Sequence, residues 1–269
     1  MRERAGRRSG SFLWQHIADD LADRLVDISR PFNDVLIIGP MSAYAHKILG
    51  ERGQNIVLAA LSGSERSAGS VDVIEEDRLP FASGSFDLII CAGTLDSVND
   101  LPGALVQIRR CLRPDGLFLG HMFGAGTLSS LKGALLATEG NGASPHIHPQ
   151  IDLRVAADLL TRTGFTLTVA DMDKTLIRYS DWRRLVLDLR DMGIGNSLTG
   201  LRRYLGRNFI KRLDVIWRSK AAGDGRVEEQ FVHIHLSGWA PSTDQPQPAK
   251  RGSGTVSLAA ILQPPSAKD

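Results

Sequence analysis

VDVIEEDRLPFASGSFDLIICAGTLDSVNDLPGALVQIRRCLRPDGLFLG, residues Val71 to Gly120, decides the fold. It reads as a short strand, a Pro/Gly/Ser turn, an apolar strand over Phe86 to Cys91, a helix over Val98 to Leu112, a turn on Arg113-Pro114-Asp115-Gly116, and a strand over Leu117 to Gly120. Both strands of this β-α-β unit are apolar along their whole length, which predicts a parallel sheet covered on both faces. The turns and caps explain most of its polar residues, so any chemistry must come from the strand ends.

Working outward, the same alternation continues on both sides. Leu13, Ile17, Leu21, Leu25 and Ile28 recur at intervals of three or four, with Ser11 as a candidate N-cap. Val35 to Ile38 is a strand ending at Gly39-Pro40, followed by a helix over about Ser42 to Glu51 and a strand over Asn55 to Ala59. Leu61 to Ser70 is Ser/Gly-rich. Further on come a possible short helix over Leu128 to Ala137, a Pro-bounded loop over Ser144 to Pro149, and a helix over Leu153 to Thr163 capped by Asp152. Phe165 to Val169 is a sixth strand. Asp181 to Lys220 is helical and Arg-rich, interrupted at Met192 to Asn196, and Gln230 to Gly238 is the last strand. The expected organisation is a flexible basic tail over 1–10, one α/β domain over 11–240 with a helical insert over 181–221, and a disordered tail over 241–269 carrying an apolar island at Val256 to Leu262.

Composition excludes several classes. With 42% hydrophobic and 23% charged residues over 269 positions, the chain is long enough to bury a substantial core. A net charge of +2 gives no global argument for nucleic acid. No window supplies the roughly 20 apolar residues of a membrane span. Cys91 and Cys111 form neither a disulfide framework nor a metal spacing and read as packing residues. No secretory signal is visible, and the expected compartment is the cytoplasm.

Seven strands, the last reached through a helical insert, describe a Rossmann-like class I methyltransferase sheet, mostly parallel with an antiparallel last strand. The residues carry a resemblance to that superfamily. Leu79-Pro80-Phe81, Ser85-Phe86-Asp87 and Leu112-Arg113-Pro114-Asp115-Gly116 look like the post-strand motifs of methyltransferases that use S-adenosylmethionine (SAM). Val98 to Pro102, Met122-Phe123-Gly124 with Thr127-Leu128, Ser144 to Ile147, Asp188 to Gly193 with Asn196, and Gly238-Trp239 resemble the branch containing the respiratory complex I assembly factor. That branch is described as protein-modifying, with arginine hydroxylation of a complex I subunit attributed to one member. The biotin-pathway carboxyl methyltransferase is a more distant relative. The resemblance implies SAM as cofactor and a protein partner such as a complex I subunit.

It also points to candidate site residues, and here the chain departs from the pattern. Methyltransferases of this kind hold SAM with an acidic strand end and a G-x-G-x-G turn, whose glycines allow close backbone approach. The corresponding residues are Ile37, Gly39, Met41 and Ala43, so one glycine of the motif stands and the acid is gone. The carboxylate that grips the ribose is replaced by Ala60 or Leu61, with Glu65 as a substitute from the loop. Each such lost contact is worth about 1.5–3 kcal/mol. Glu75, Glu76 and Asp77 stand where an acid reads the adenine amino group, though three acids in a polar turn are read equally well as solvated. Gly93 and Asp96 follow the fourth strand, where the fold places substrate-facing groups. Asp96 is the candidate general base; the ordinary reading of a loop Asp before a helix is a cap. The family's His-Trp pair is replaced by Asp96-Ser97. Two functions stay open: a SAM-dependent methyltransferase or derived protein-modifying enzyme, and a catalytically inactive binding or assembly module on the same fold.

His146-x-His148, with His121 and Asp171-x-Asp173, offers N/O ligands of the kind iron or zinc takes, and the absence of a recognised ligand spacing argues against a metal site. His233 and His235 alternate on one strand face as packing or surface residues. Arg202, Arg203, Arg207, Lys211 and Arg212 with Tyr204 and Phe209 read as a solvated helix face or a docking face for a protein partner.

Overall fold

Four consecutive apolar residues follow Asp34, and in the computed structural model all four are buried, as a strand flanked by neighbours on both sides requires. The structure describes residues 12–60, 71–73, 75–140, 146–196 and 205–246. The basic tail, the Ser11 cap, the loop with Leu61 and Glu65, Arg202 to Tyr204 and the apolar island lie outside the described residues.

The elements run α1 (Phe12–Val26), β1 (Asp34–Ile38), a 3-10 turn (Gly39–Tyr44), α2 (Ala45–Leu49), β2 (Asn55–Ala60), β3 (Val71–Val73), β4 (Phe86–Ala92), α3 (Leu101–Cys111) and β5 (Leu112–Phe123). They continue through α4 (Ser129–Glu139), α5 (Leu153–Arg162), β6 (Thr166–Tyr179), α6 (Trp182–Asp191), α7 (Arg207–Ser219) and β7 (Val227–Trp239). The strands form one seven-stranded sheet in the order β3-β2-β1-β4-β5-β7-β6. β3 through β5 pair in parallel, and β7 runs antiparallel to both β5 and β6. The α/β class and the reversed last strand are as the sequence pattern predicts.

Two cores cover the sheet. On one face Leu13, Trp14, Ile17, Leu21 and Leu25 of α1 pack with Leu88, Ile90, Leu119 and Phe231, joined by apolar residues of α4, α6 and α7. On the other, Leu105 and Ile108 of α3 and Ala156 and Leu160 of α5 meet Leu36, Ile89, Phe118 and Ile234. Burying each such aliphatic side chain contributes about 1.5–3 kcal/mol.

Caps are explicit. Asp100 Oδ1 accepts from Gly103 N at 2.9 Å at the start of α3, and Asp152 Oδ1 accepts from Val155 N at 2.9 Å at the start of α5. α4 has no side-chain cap of its own, because its N-cap residue, Leu128, at a left-handed φ of 60°, carries no acceptor. Glu229 of β7 replaces one, accepting from Ser130 N at 3.0 Å and Leu131 N at 2.7 Å.

Several elements differ from the sequence reading, among them the helix read over Ser42 to Glu51, which is the 3-10 turn followed by the short α2. α3 begins at Leu101, because Asp100 and Pro102 set its first turn. β5 begins at Leu112, which pairs with Phe86; the stretch read as a turn, 113–116, bulges out of the register before Leu117 pairs with Leu88, with Asp115 taking a left-handed φ of 60°. β6 reaches Tyr179, not Val169. Packing also runs past residue 240. Gln245 is buried, donating to Asp115 Oδ1 and to Ala240 O, both at 2.9 Å, and accepting from Thr166 Oγ1 at 2.7 Å.

Candidate functional site at the strand carboxyl ends

β1 and β4 are adjacent and parallel, so Gly39 and Gly93, one residue beyond each, emerge side by side. Both have positive φ, 83° and 80°. A Cβ on Gly39 would lie 2.4 Å from Thr94 Cγ2, and one on Gly93 would lie 2.4 Å from Trp14 Cη2 and 2.9 Å from Pro40 Cγ. Glycine is required at both positions because protein presses against the backbone there. Trp14 of α1 is buried and closes the end of β4.

The other expected cofactor residues scatter. Met41 is fully buried and belongs to the core under α1, where it packs with Leu13, Trp14 and Ile17. Ala43, in contrast, is exposed. Ser42 Oγ donates to Ile37 O at 3.3 Å, tying the 3-10 turn back onto β1. The methionine half of SAM runs past this turn in the proteins the sequence resembles, and Trp14, Pro40 and Met41 fill that place, so these residues do not fit it.

The acidic positions are better placed. Glu75 and Arg78 close a tight turn through Arg78 N donating to Glu75 O at 3.0 Å. Glu75 is exposed, Asp77 half-buried, and Glu76 buried at 1% exposure. The charge of Glu76 is felt at Asp96. Asp96 does not cap α3, a role taken by Asp100. It is partly accessible as a residue, but its Oδ1 is shielded from solvent and meets no donor among the described residues. Burial, with a smaller push from Glu76, raises its carboxyl to about 6. A group titrating there is suited to take up a proton near neutral pH. Cys91 is buried beside Thr94 Oγ1 at 3.3 Å, and burial drives its thiol well above the ordinary range, as inert packing cysteines are.

Two cavities lie away from this end. One of about 380 Å³ is lined by Ser83, Arg109, Arg110, Leu112 and Pro241, at the amino-terminal end of β4 and β5. The other, of about 250 Å³, is lined by Asp20, Asp23, Arg24, Asp27 and Asp173. His146, weighed above as a ligand, bonds Glu139 Oε1 at 2.7 Å beside Phe209.

Residues 38–120 match the family described as "Methyltransferase domain". The zebrafish (Danio rerio) protein named "Arginine-hydroxylase NDUFAF5, mitochondrial" is 33% identical over 261 residues, covering 92% of this chain and 81% of its own. The chain belongs to the NDUFAF5 family. Its human member is 33% identical over 274 residues, covering 96% of this chain and 79% of its own. The YcgJ protein from Bacillus subtilis shares the NDUFAF5-family fold here with a TM-score of 0.56 at 14% identity, covering 85% of this chain and 99% of its own. These family members are named mitochondrial. No helix among the described residues is long and apolar enough to cross a membrane.

Proposed function

We propose that this chain is a methyltransferase-fold protein that acts on, or helps assemble, a protein partner of the class of a respiratory complex I subunit, and that it does so without transferring a methyl group from SAM. Kinship with proteins named arginine-hydroxylase supports the protein partner. The observation that carries the second half is the indole of Trp14 lying directly against Gly93 at the end of β4. Trp14 and Pro40 crowd the backbone at that strand end, which supports a reading in which Glu75 to Asp77 are not part of a complete SAM site. Cytoplasmic residence is part of this reading and rests on the chain's own composition, whereas the relatives are named mitochondrial.

A second reading, a protein-modifying enzyme with Asp96 as its base, is favoured by one feature. Asp96 has a solvent-shielded carboxylate oxygen and feels the charge of the buried Glu76, a kind of setting in which functional carboxyl groups are found.

Isothermal titration with SAM and S-adenosylhomocysteine tests the first reading. It expects no heat at millimolar ligand, and a dissociation constant tighter than about 100 μM overturns it. Crosslinking of the chain to isolated complex I subunits tests the partner. No crosslink above that of an unrelated methyltransferase-fold control removes that half.

A further inference from the structure

α1 crosses β5, β7 and β6 where strand register sets polar residues in rows. His121 of β5 stands opposite His235 of β7, which stands opposite Asp171 of β6. Two residues along, Phe123, His233 and Asp173 form the next row. Because side chains of a strand alternate in direction, both rows face the same side of the sheet. There α1 supplies His16, Asp20 and Arg24, and the two ring planes of His16 and His233 meet edge to face at 5.7 Å.

His121, His233 and His235 are 0%, 0% and 1% exposed. His121 Nε2 and His233 Nδ1 share a hydrogen bond of 3.0 Å. Among the described residues, the remaining ring nitrogens, His121 Nδ1, His233 Nε2 and both nitrogens of His235, have no hydrogen-bond partner, and neither has Asp20 Oδ2. Each buried polar atom left in this way costs about 1–3 kcal/mol. A protein that gathers several of them at one point has a ligand to satisfy or a cost to carry.

Their geometry converges. Asp20 Oδ2 lies 3.7 Å from His16 Nε2 and 3.6 Å from His235 Nε2, and Asp173 Oδ1 lies 4.0 Å from His235 Nε2. One ligand atom each from His16, Asp20 and Asp173 all fall within 4.8 Å of one another. Bonds of about 2.0–2.2 Å to a tetrahedral ion put ligand atoms roughly 3.3–3.6 Å apart, so the contacts of 3.6–4.0 Å close by at most about 0.7 Å and the spans of up to 4.8 Å by at most about 1.5 Å, within reach of rotamer changes at the partly exposed His16 and Asp173. His16 and Asp20 sit four apart on one helix and therefore share its face.

We propose that His16, Asp20, Asp173 and His235 form a binding site for a divalent first-row transition ion, with His121 and His233 packed behind it. Two imidazoles and two carboxylates suit Zn(II) or Fe(II) and are a poor set for Mg(II) or Ca(II), which take oxygen ligands. Asp171 stays outside the set because Arg24 grips both its oxygens, at 2.7 and 2.6 Å. The cavity of about 250 Å³ lined by Asp20, Asp23, Arg24, Asp27 and Asp173 opens the carboxylate side to solvent and supplies an entry path. The inference is independent of the proposed function.

The test uses the full-length, untagged chain, stripped with a chelator and titrated with Zn(II) and with Co(II), whose visible spectrum reports coordination geometry. About one ion per chain is expected, with a Co(II) spectrum of low coordination number. Asp173→Asn and His16→Gln change partly exposed side chains and leave the core intact, which circular dichroism verifies. Each is expected to weaken binding at least about 10-fold, while His146→Gln leaves it unchanged. Absence of saturable binding overturns the proposal. So does binding that survives both Asp173→Asn and His16→Gln, or that is lost only in His146→Gln.

Discussion

Glu229 Oε2 accepts a 2.7 Å hydrogen bond from Leu131 N, 98 positions earlier in the chain. With Oε1 taking Ser130 N at 3.0 Å, the carboxylate of β7 performs for α4 what a Ser or Asp does for most helices. It also places a negative charge at the positive end of the helix. Glu229→Ala leaves two amides of a buried helix start without an acceptor and is expected to cost about 2–4 kcal/mol in chemical denaturation. Glu229→Gln keeps one acceptor oxygen and should lose clearly less. No loss in Glu229→Ala would show that α4 does not depend on this cap.

Gly93→Ala forces a methyl group into the 2.4 Å gap to Trp14 Cη2 at a positive φ. The expected cost is about 1–3 kcal/mol. Pairing it with Trp14→Leu, which removes the indole, should give a double mutant more stable than the two single losses sum to, as a cycle of thermal melts would show. Strict additivity would mean the two residues do not press on each other.

Asp96 supplies a pH signature. Its folded value of about 6 lies above the ordinary 3.8, so the native state holds a proton that the unfolded chain releases. The native state therefore loses stability from this group as pH rises from about 4 to about 6, and stays lower above that. Asp96→Asn abolishes the ionisation. Its stability relative to the parent should rise across that window and level off above it, by an amount on the order of 2 kcal/mol. Denaturation midpoints at several pH values measure this, and a difference that does not change between pH 4 and pH 8 contradicts it.

Gln245 ties the chain beyond β7 to the sheet. Its amide donates to Asp115 and Ala240 and accepts from Thr166. Gln245→Ala is expected to cost about 1–3 kcal/mol and to speed hydrogen exchange at Ala240 N, which donates to Gly116 O at 2.8 Å. An unchanged melting temperature would remove the anchor from the account.

The centre of the sheet was legible because β1 and β4 are uninterrupted apolar runs and α3 carries a clean periodicity, signals that follow from burial on both faces. The edges were not. β6 alternates Asp171, Asp173 and Thr175 with Met172, Lys174 and Leu176, and as an edge strand it leaves several of these accessible, so its second half reads like a polar loop. The start of β5 was hidden by Pro114 and Gly116, which signal a turn in isolation but here sit in strand anchored by Arg113, whose Nη1 donates to Asp34 at 2.7 Å and Asp87 at 2.8 Å. At the strand ends the glycines at 39 and 93 were recognisable, yet what fills the space above them was not, because Trp14 arrives from a helix far away in sequence. The histidine cluster was unreadable for the same reason. Its members come from α1, β5, β6 and β7, and no spacing rule links them. Register across three strands does.

The strand order has a consequence for how the chain acquires its structure. β6 has one sheet neighbour, β7, which is the last strand made and the one that also completes the side of β5. During synthesis from the amino terminus, Thr166 to Tyr179 must therefore wait without a ladder partner while α6 and α7 are added. The delay is several seconds at about 5–20 residues per second. Until Val227 to Trp239 leaves the ribosome, β5 presents an open edge and the histidine-bearing rows have no middle. The thirteen-residue strand Val227–Trp239 is therefore the piece that joins the parallel half of the sheet to its outer strand.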